Sequence, residues 1–175
     1  MVQNTKLSLR LTDVGGQKSE RKKWVNVFHD IDVVVYVMSL SGYDQTTFED
    51  ISVKCYDESF AVFTQLSETD VFENTDFVVF LNKIDLFQEK LKSTPFTVYD
   101  PSFDKSSQHN PEKIVHYVQN RFEQIWSKDV DELSTRMRTL FFHLTCSLDT
   151  KVMQTVIADV HHSLIKREMD KASLI

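Results

Sequence analysis

Apolar residues in this chain fall into short runs and stripes separated by polar clusters, and their spacing predicts strands alternating with helices. Leu7, Leu9 and Leu11 alternate with Ser8 and Arg10, the period of a half-buried strand. The paired Gly15 and Gly16 then mark a sharp turn. The charged stretch from Lys18 to Lys23, followed by Trp24, Val25 and Phe28, predicts a polar helix with a few apolar anchors. Val33 to Met38 is a continuous, largely β-branched run, expected of a strand covered on both faces. Ser41-Gly42-Tyr43-Asp44 reads as a turn, and a helix is expected from about Phe48 to Leu66. Phe77 to Leu81 is a second buried strand, and Leu140 to Leu144 a third. Between them, residues 93–110 read as loop, and Pro111-Glu112 opens a helix with proline at a favoured first position. Asp149 or Thr150 is placed to cap a last helix, whose apolar stripe is Val152, Val156, Val160 and Leu164.

Such alternation implies a parallel, doubly wound α/β sheet, where ligands bind at the carboxyl ends of strands. Three polar clusters follow predicted strands: Asp13-Val14-Gly15-Gly16-Gln17, Asn82-Lys83-Ile84-Asp85 and Thr145-Cys146-Ser147. Composition changes this picture little. The 175 residues suit about one domain, with 41% apolar and 26% charged positions. A net charge of −6 argues against non-specific nucleic-acid binding, which needs a basic face. The two cysteines, Cys55 and Cys146, form no CxxC spacing or disulfide framework, which suits a reducing cytosol. No run approaches the ~18 apolar residues of a membrane span, and Val2 stands where a myristoylation pattern needs glycine. The adjacent His161 and His162 point to different helix faces, and His29, His109 and His116 lack ligand spacing.

Each cluster has a chemical reading and a bland one. Guanine offers N1–H and N2–H side by side, and an ionised carboxylate accepts both; adenine offers no such pair. Asp85 is placed for that role, with Asn82 bracing the loop and the Lys83 stem lying along the base. Taken alone, N-K-x-D also fits a surface loop with a solvated Lys–Asp pair. Asp13 suits a magnesium-bound water, the Gly16 N–H a γ-phosphate, and Gln17 an attacking water. The same residues also fit a plain strand-ending turn. A backbone N–H near Ser147 suits guanine O6, and the tripeptide also fits a simple buried strand end. The order of the three, each after an apolar strand, is improbable for unrelated turns.

The chain resembles the α-subunits of heterotrimeric G proteins over nearly its whole length. The matching strings run from Asp13 to Trp24, Leu40 to Gln45, Phe80 to Phe87 and Phe142 to Cys146. The resemblance implies a P-loop NTPase-like (Ras-like) fold, a mostly parallel sheet with flanking helices, spanning residues 1–175 from switch II to a receptor-binding helix. It implies GTP and GDP as ligands with Mg²⁺. Asp13, Val14, Gly15, Gly16 and Gln17 would start switch II, with Gln17 the hydrolytic residue and Asp13 meeting the metal only through water. Asn82, Lys83, Ile84 and Asp85 would read guanine, and Ser147, where the family usually has alanine, would contact O6 through its backbone. Arg21, Lys23 and Trp24 would face a βγ dimer or an effector enzyme. Leu174 and Ile175 would face a G-protein-coupled receptor. Work at the cytoplasmic face of the plasma membrane, within a heterotrimer, is implied as well.

The resemblance also has gaps. These residues hold no Gly-Lys-Ser phosphate loop, no helical domain, and no first switch with its arginine and threonine. Three lost phosphate contacts at roughly 1.5–3 kcal/mol each imply binding weaker by about a thousandfold or more. The strand that would lie between those at Leu7–Leu11 and Val33–Met38 is missing too, so the isolated polypeptide is expected to be unstable or aggregation-prone. A cooperative melt with monomeric elution would contradict that expectation. Ile51 stands where an acidic partner for Arg21 is expected, which would weaken the GTP conformation unless Glu49 or Asp50 substitutes. Ala172 replaces the toxin-modified cysteine of some members. A second expectation is a non-catalytic module that binds receptor or βγ through the last helix and switch II.

Overall fold

A computed structural model describes residues 10–29, 31–128, 138–146 and residue 165. The chain divides into two compact units, Met1–Ile31 and Asp32–Ile175. Ser147, all of the expected last helix except residue 165, and Leu174 and Ile175 lie outside the described residues, as do Leu7 and Leu9.

In the larger unit, β1 (Val33–Ser39), β2 (Asp76–Asn82) and β3 (Leu140–Thr145) form a parallel sheet in the order β1-β2-β3. β-Branched and aromatic residues dominate all three strands, as a pleated, packed surface favours. The register pairs Ser39 with Asn82 and Asn82 with Thr145, so the three strand ends lie side by side. Parallel neighbours need crossovers. The first is α2 (Cys55–Ser67); the second contains α3 (Ile84–Leu91) and α4 (Pro111–Lys128). α4 starts where the sequence places it. The Asn110 side chain accepts the Lys113 N–H, capping one orphan donor, and Pro111 needs none.

The core is aromatic. Phe122 of α4 lies 4.9 Å from Phe60 and 4.7 Å from Phe63 of α2, and 6.1 Å from both Tyr36 of β1 and Phe142 of β3. Ring pairs at these separations and tilts add to the gain from burial itself. α4 presents Ile114, Val115, Val118 and Phe122 inward, one stripe at helical spacing.

Four expectations are corrected. β2 is buried along nearly its length, but β1 is not covered on both faces: Val35 and Val37 are 40% and 57% exposed. β3 is half-buried, with Leu144 exposed. An apolar run fixes a strand, whereas its cover depends on what packs above it. The helix expected from Phe48 begins only at Cys55, because Thr46 and Lys54 form an antiparallel bridge that holds the intervening residues as a loop. Arg10 and Leu11, the described end of the first expected strand, are in no strand, and Leu11 is 88% exposed. A strand needs a paired neighbour, and period alone does not supply one.

Residues 93–110 are mostly loop, as expected, apart from a short 3-10 turn at Phe96–Val98, and the loop is packed. Phe96 and Tyr99 are buried, Phe96 N–H donates to the Gln108 carbonyl, and Tyr43 Oη donates to the Thr94 carbonyl at 2.6 Å. Burial, and next the nearby Asp44 charge, push the Tyr43 phenol up to about 12. Burial is also the leading cause that raises Tyr56 and Tyr99. The folded state therefore favours neutral phenols, while an unfolded tyrosine ionises near ~10. Stability from these groups is whole below pH ~10 and is lost as pH rises towards ~12. An alkaline titration should show tyrosinate absorbance rising together with loss of the folded circular-dichroism signal. Independent tyrosine titration near the ordinary value in a still-folded chain would contradict this.

Candidate functional site

The Asn82-to-Asp85 segment is built by the end of β2. Asn82 is the last strand residue and is half-buried; its Oδ1 accepts the Lys83 N–H at 2.8 Å and the Thr145 hydroxyl at 3.2 Å. Lys83 has φ 61° and ψ 41°, the one non-glycine residue at positive φ among the described residues. A left-handed lysine is strained by about 1 kcal/mol or more, and such strain clusters at functional sites. The Asn82 side chain offsets it by fixing the Lys83 N–H. The next turn is helical at once: the Phe87 N–H donates to the Lys83 carbonyl, starting α3. This sharp reversal leaves Lys83 and Asp85 exposed, while Phe87 is buried beneath them. Asp85 in the first turn is also favoured by the helix dipole. Ile84, the remaining residue of the motif, is half-buried.

Two of the three polar clusters thus come together, because the β2–β3 register sets Thr145 beside Asn82. The sequence assigned Thr145-Cys146-Ser147 a backbone role only; the Thr145 hydroxyl as a brace for Asn82 was missed. Ser147 itself lies outside the described residues.

A second tie was also missed. The Lys90 ammonium on α3 donates to the Ser41 carbonyl (2.7 Å) and to Asp44 Oδ1 (2.6 Å), and lies 5.7 Å from the Tyr43 ring centre. It holds the buried turn after β1 against the helix that carries Asp85. The Lys90 and Asp44 side chains are each 24% exposed, so water screens the pair only in part. Lys90→Met should lower stability by about 1–2 kcal/mol, read from the urea midpoint. An unchanged midpoint would show that the tie contributes nothing.

The switch-like segment is described within its own unit. Asp13, Val14, Gly15, Gly16 and Gln17 are all exposed. Gln17 caps α1 (Lys18–Arg21): its carbonyl accepts the N–H groups of Glu20 and Arg21, while its side chain makes no cap bond. The Gly16 carbonyl accepts Arg21 Nε at 3.1 Å, so Arg21 has a partner in its own segment. The Gly15 carbonyl accepts Trp24 Nε1 at 2.8 Å, and Lys23 pairs with Glu20 at 2.6 Å on the surface. The turn is not built on positive φ, which neither glycine has. A Cβ on Gly15 would meet Glu20 Cβ at 2.9 Å, whereas one on Gly16 would meet nothing within 4 Å. Gly15→Ala should therefore displace α1, and Gly16→Ala should leave the segment intact. Trp24 emission in a Trp126→Phe background would check this; equal spectral changes in both variants would contradict it.

Asp13 is the proposed water-mediated magnesium contact. Among the described residues, no group of three or more His, Cys, Asp or Glu side chains is arranged to hold a metal ion. Two surface depressions in the larger unit, of 490 and 310 Å³, have none of Asn82 to Asp85 in their lining; one is lined by Phe103, Asp104 and His116, the other by Leu91, Lys92 and His109.

Three parallel strands in an open sheet, flanked by helices and with a loop-to-helix reversal at the carboxyl end of the middle strand, place this chain in the P-loop NTPase-like class. The family model for G-protein alpha subunits matches residues 2–164, and the chain belongs to that family. It is 35% identical to human guanine nucleotide-binding protein subunit alpha-15, over 97% of this chain and 46% of that protein. It is 34% identical to a guanine nucleotide-binding protein subunit alpha of Candida albicans (strain WO-1), over 95% and 37%. With the alpha-17 subunit of Caenorhabditis elegans, identity is 31% over 97% and 45%. The chain spans about half the length, or less, of these relatives. Among the described residues, no helix is long and apolar enough to cross a membrane.

Proposed function

We propose that this chain carries the guanine-reading and switch II parts of a GTP-dependent signal transducer. The observation that supports it most is the Asn82 clamp: one side-chain oxygen fixes a left-handed Lys83 and ties β2 to β3, leaving the Asp85 carboxylate exposed at the sheet's carboxyl edge. Asp85 would accept guanine N1–H and N2–H, and the Lys83 stem would cover the ring. The open space at Gly16 suits a phosphate oxygen approaching its N–H. Gln17, its side chain not used for capping, would orient water for hydrolysis in the intact protein. Mg²⁺ would supply charge neutralisation at the phosphates there, with Asp13 holding one of its waters.

The partners in this reading are a βγ dimer and an effector enzyme at Arg21, Lys23 and Trp24, and a G-protein-coupled receptor at the C-terminal residues. The setting is the cytoplasmic face of the plasma membrane, within a heterotrimer. A fluorescent GDP titration of the 175-residue chain tests the base-reading part. The expected result is weak binding that unlabelled GDP displaces and ADP does not. Displacement by both, or no binding up to millimolar nucleotide, would overturn it.

A further inference from the structure

We infer, on the reading of Asp85 as the guanine acceptor, that Lys90 is a positioning residue for base recognition, setting where α3 presents the Asp85 carboxylate. The two base-reading side chains are mounted differently. Asn82 belongs to β2 and is held from the β3 side by the Thr145 hydroxyl. Asp85 lies beyond the Lys83 reversal, in the first turn of α3, so its place follows that of the helix. A helix of eight residues is too short to hold its own position and takes it from what it packs on. Here that seat is the turn ending β1. Phe87 is fully buried and meets the Tyr43 ring edge-on, with centroids 5.8 Å apart. Lys90 Nζ reaches the Ser41 carbonyl at 2.7 Å and Asp44 Oδ1 at 2.6 Å, over the same ring. Past the end of α3, the Thr94 carbonyl accepts the Tyr43 hydroxyl.

Phe87 and Lys90 are three residues apart and share one helix face, which leaves the exposed Asp85 on another. A ring contact tolerates sliding, whereas charge-assisted hydrogen bonds are directional. The Phe87–Tyr43 contact therefore sets how deep α3 sits, and the Lys90 ties set its rotation about its own axis. Rotation is what Asp85 cannot tolerate, because two parallel hydrogen bonds to a base need the carboxylate placed within about 0.5 Å. The turn and Asn82 share one frame, since the β1–β2 register pairs Ser39 with Asn82. Lys90 thus refers Asp85 to the same strand pair that carries Asn82.

The test compares the full 175-residue chain with its Lys90→Met and Lys90→Arg variants. Inosine diphosphate lacks the N2 amino group of guanine, so the parent should prefer GDP to it by about tenfold to a hundredfold, the worth of one hydrogen bond to a charged acceptor. Lys90→Met should cut that preference to about threefold or less. Lys90→Arg keeps the cation and should retain most of it. Amide NMR without nucleotide, under conditions where all three chains are folded, gives the second readout. Lys90→Met should shift Asp85 and Phe87 and speed exchange of the Phe87 N–H, which donates to the Lys83 carbonyl, while Asn82 and Thr145 hold their signals. A purely stabilising lysine would lower the urea midpoint and leave both the preference and the Asp85 signal as in the parent. That result would overturn the proposal, as would equal shifts at Asn82 and Asp85, or equal losses in the Met and Arg variants. A parent with no preference for GDP would refute base reading by Asp85, and the nucleotide-free spectra would still decide whether Lys90 places it.

Discussion

Replacing Phe122 by alanine should lower stability by about 3–5 kcal/mol. Phe122 is completely buried and contacts the rings of α2, β1 and β3 together. Truncation removes the apolar area and leaves a cavity between two crossover helices and the sheet. Those neighbours are themselves held in place: Phe63 also meets Phe77 at 5.7 Å and Trp126 at 6.2 Å, so the site cannot collapse cheaply. The variant should unfold at a lower urea concentration than the parent chain. Phe122→Leu keeps most of the volume and should lose clearly less. Equal losses in the two variants would show that ring contacts, not volume, carry the effect.

Asp85→Ala should abolish guanine selectivity while leaving the fold intact. Asp85 is exposed in the first turn of α3, so its removal forfeits only about 0.3–1 kcal/mol of dipole stabilisation. Two hydrogen bonds to a charged acceptor are worth about 1.5–3 kcal/mol each, so guanine affinity should fall by roughly a hundredfold to ten-thousandfold. Adenine affinity should not change. The check is a competition titration of GDP and ADP against both proteins, with melting curves alongside. If the GDP curve of the variant overlays that of the parent, Asp85 does not read the base.

Much of this was legible because it is local. Val33–Met38 and Phe77–Leu81 announce strands by composition, Pro111 announces a helix start, and N-K-x-D sits where a strand ends. What was not legible depends on residues distant in sequence. The helix expected at Phe48 yields to a bridge between Thr46 and Lys54. The loop at 93–110 is packed because Tyr43 and Lys54 reach it from about fifty residues upstream. Thr145 braces Asn82 only through the register of two strands sixty-three residues apart. Gly15 and Gly16 look alike in sequence, yet only Gly15 is crowded by its own chain. Exposure of Val35 and Val37 likewise reflects what lies over a strand, which no run of valines encodes.

The base-reading loop is tested most directly by residue-resolved amide NMR of the 175-residue chain titrated with GDP and, separately, ADP. The account expects shifts at Asn82, Lys83 and Asp85 with GDP, saturating at weak affinity, and none with ADP. Shifts of equal size with both nucleotides, or none at these residues with GDP, would contradict it.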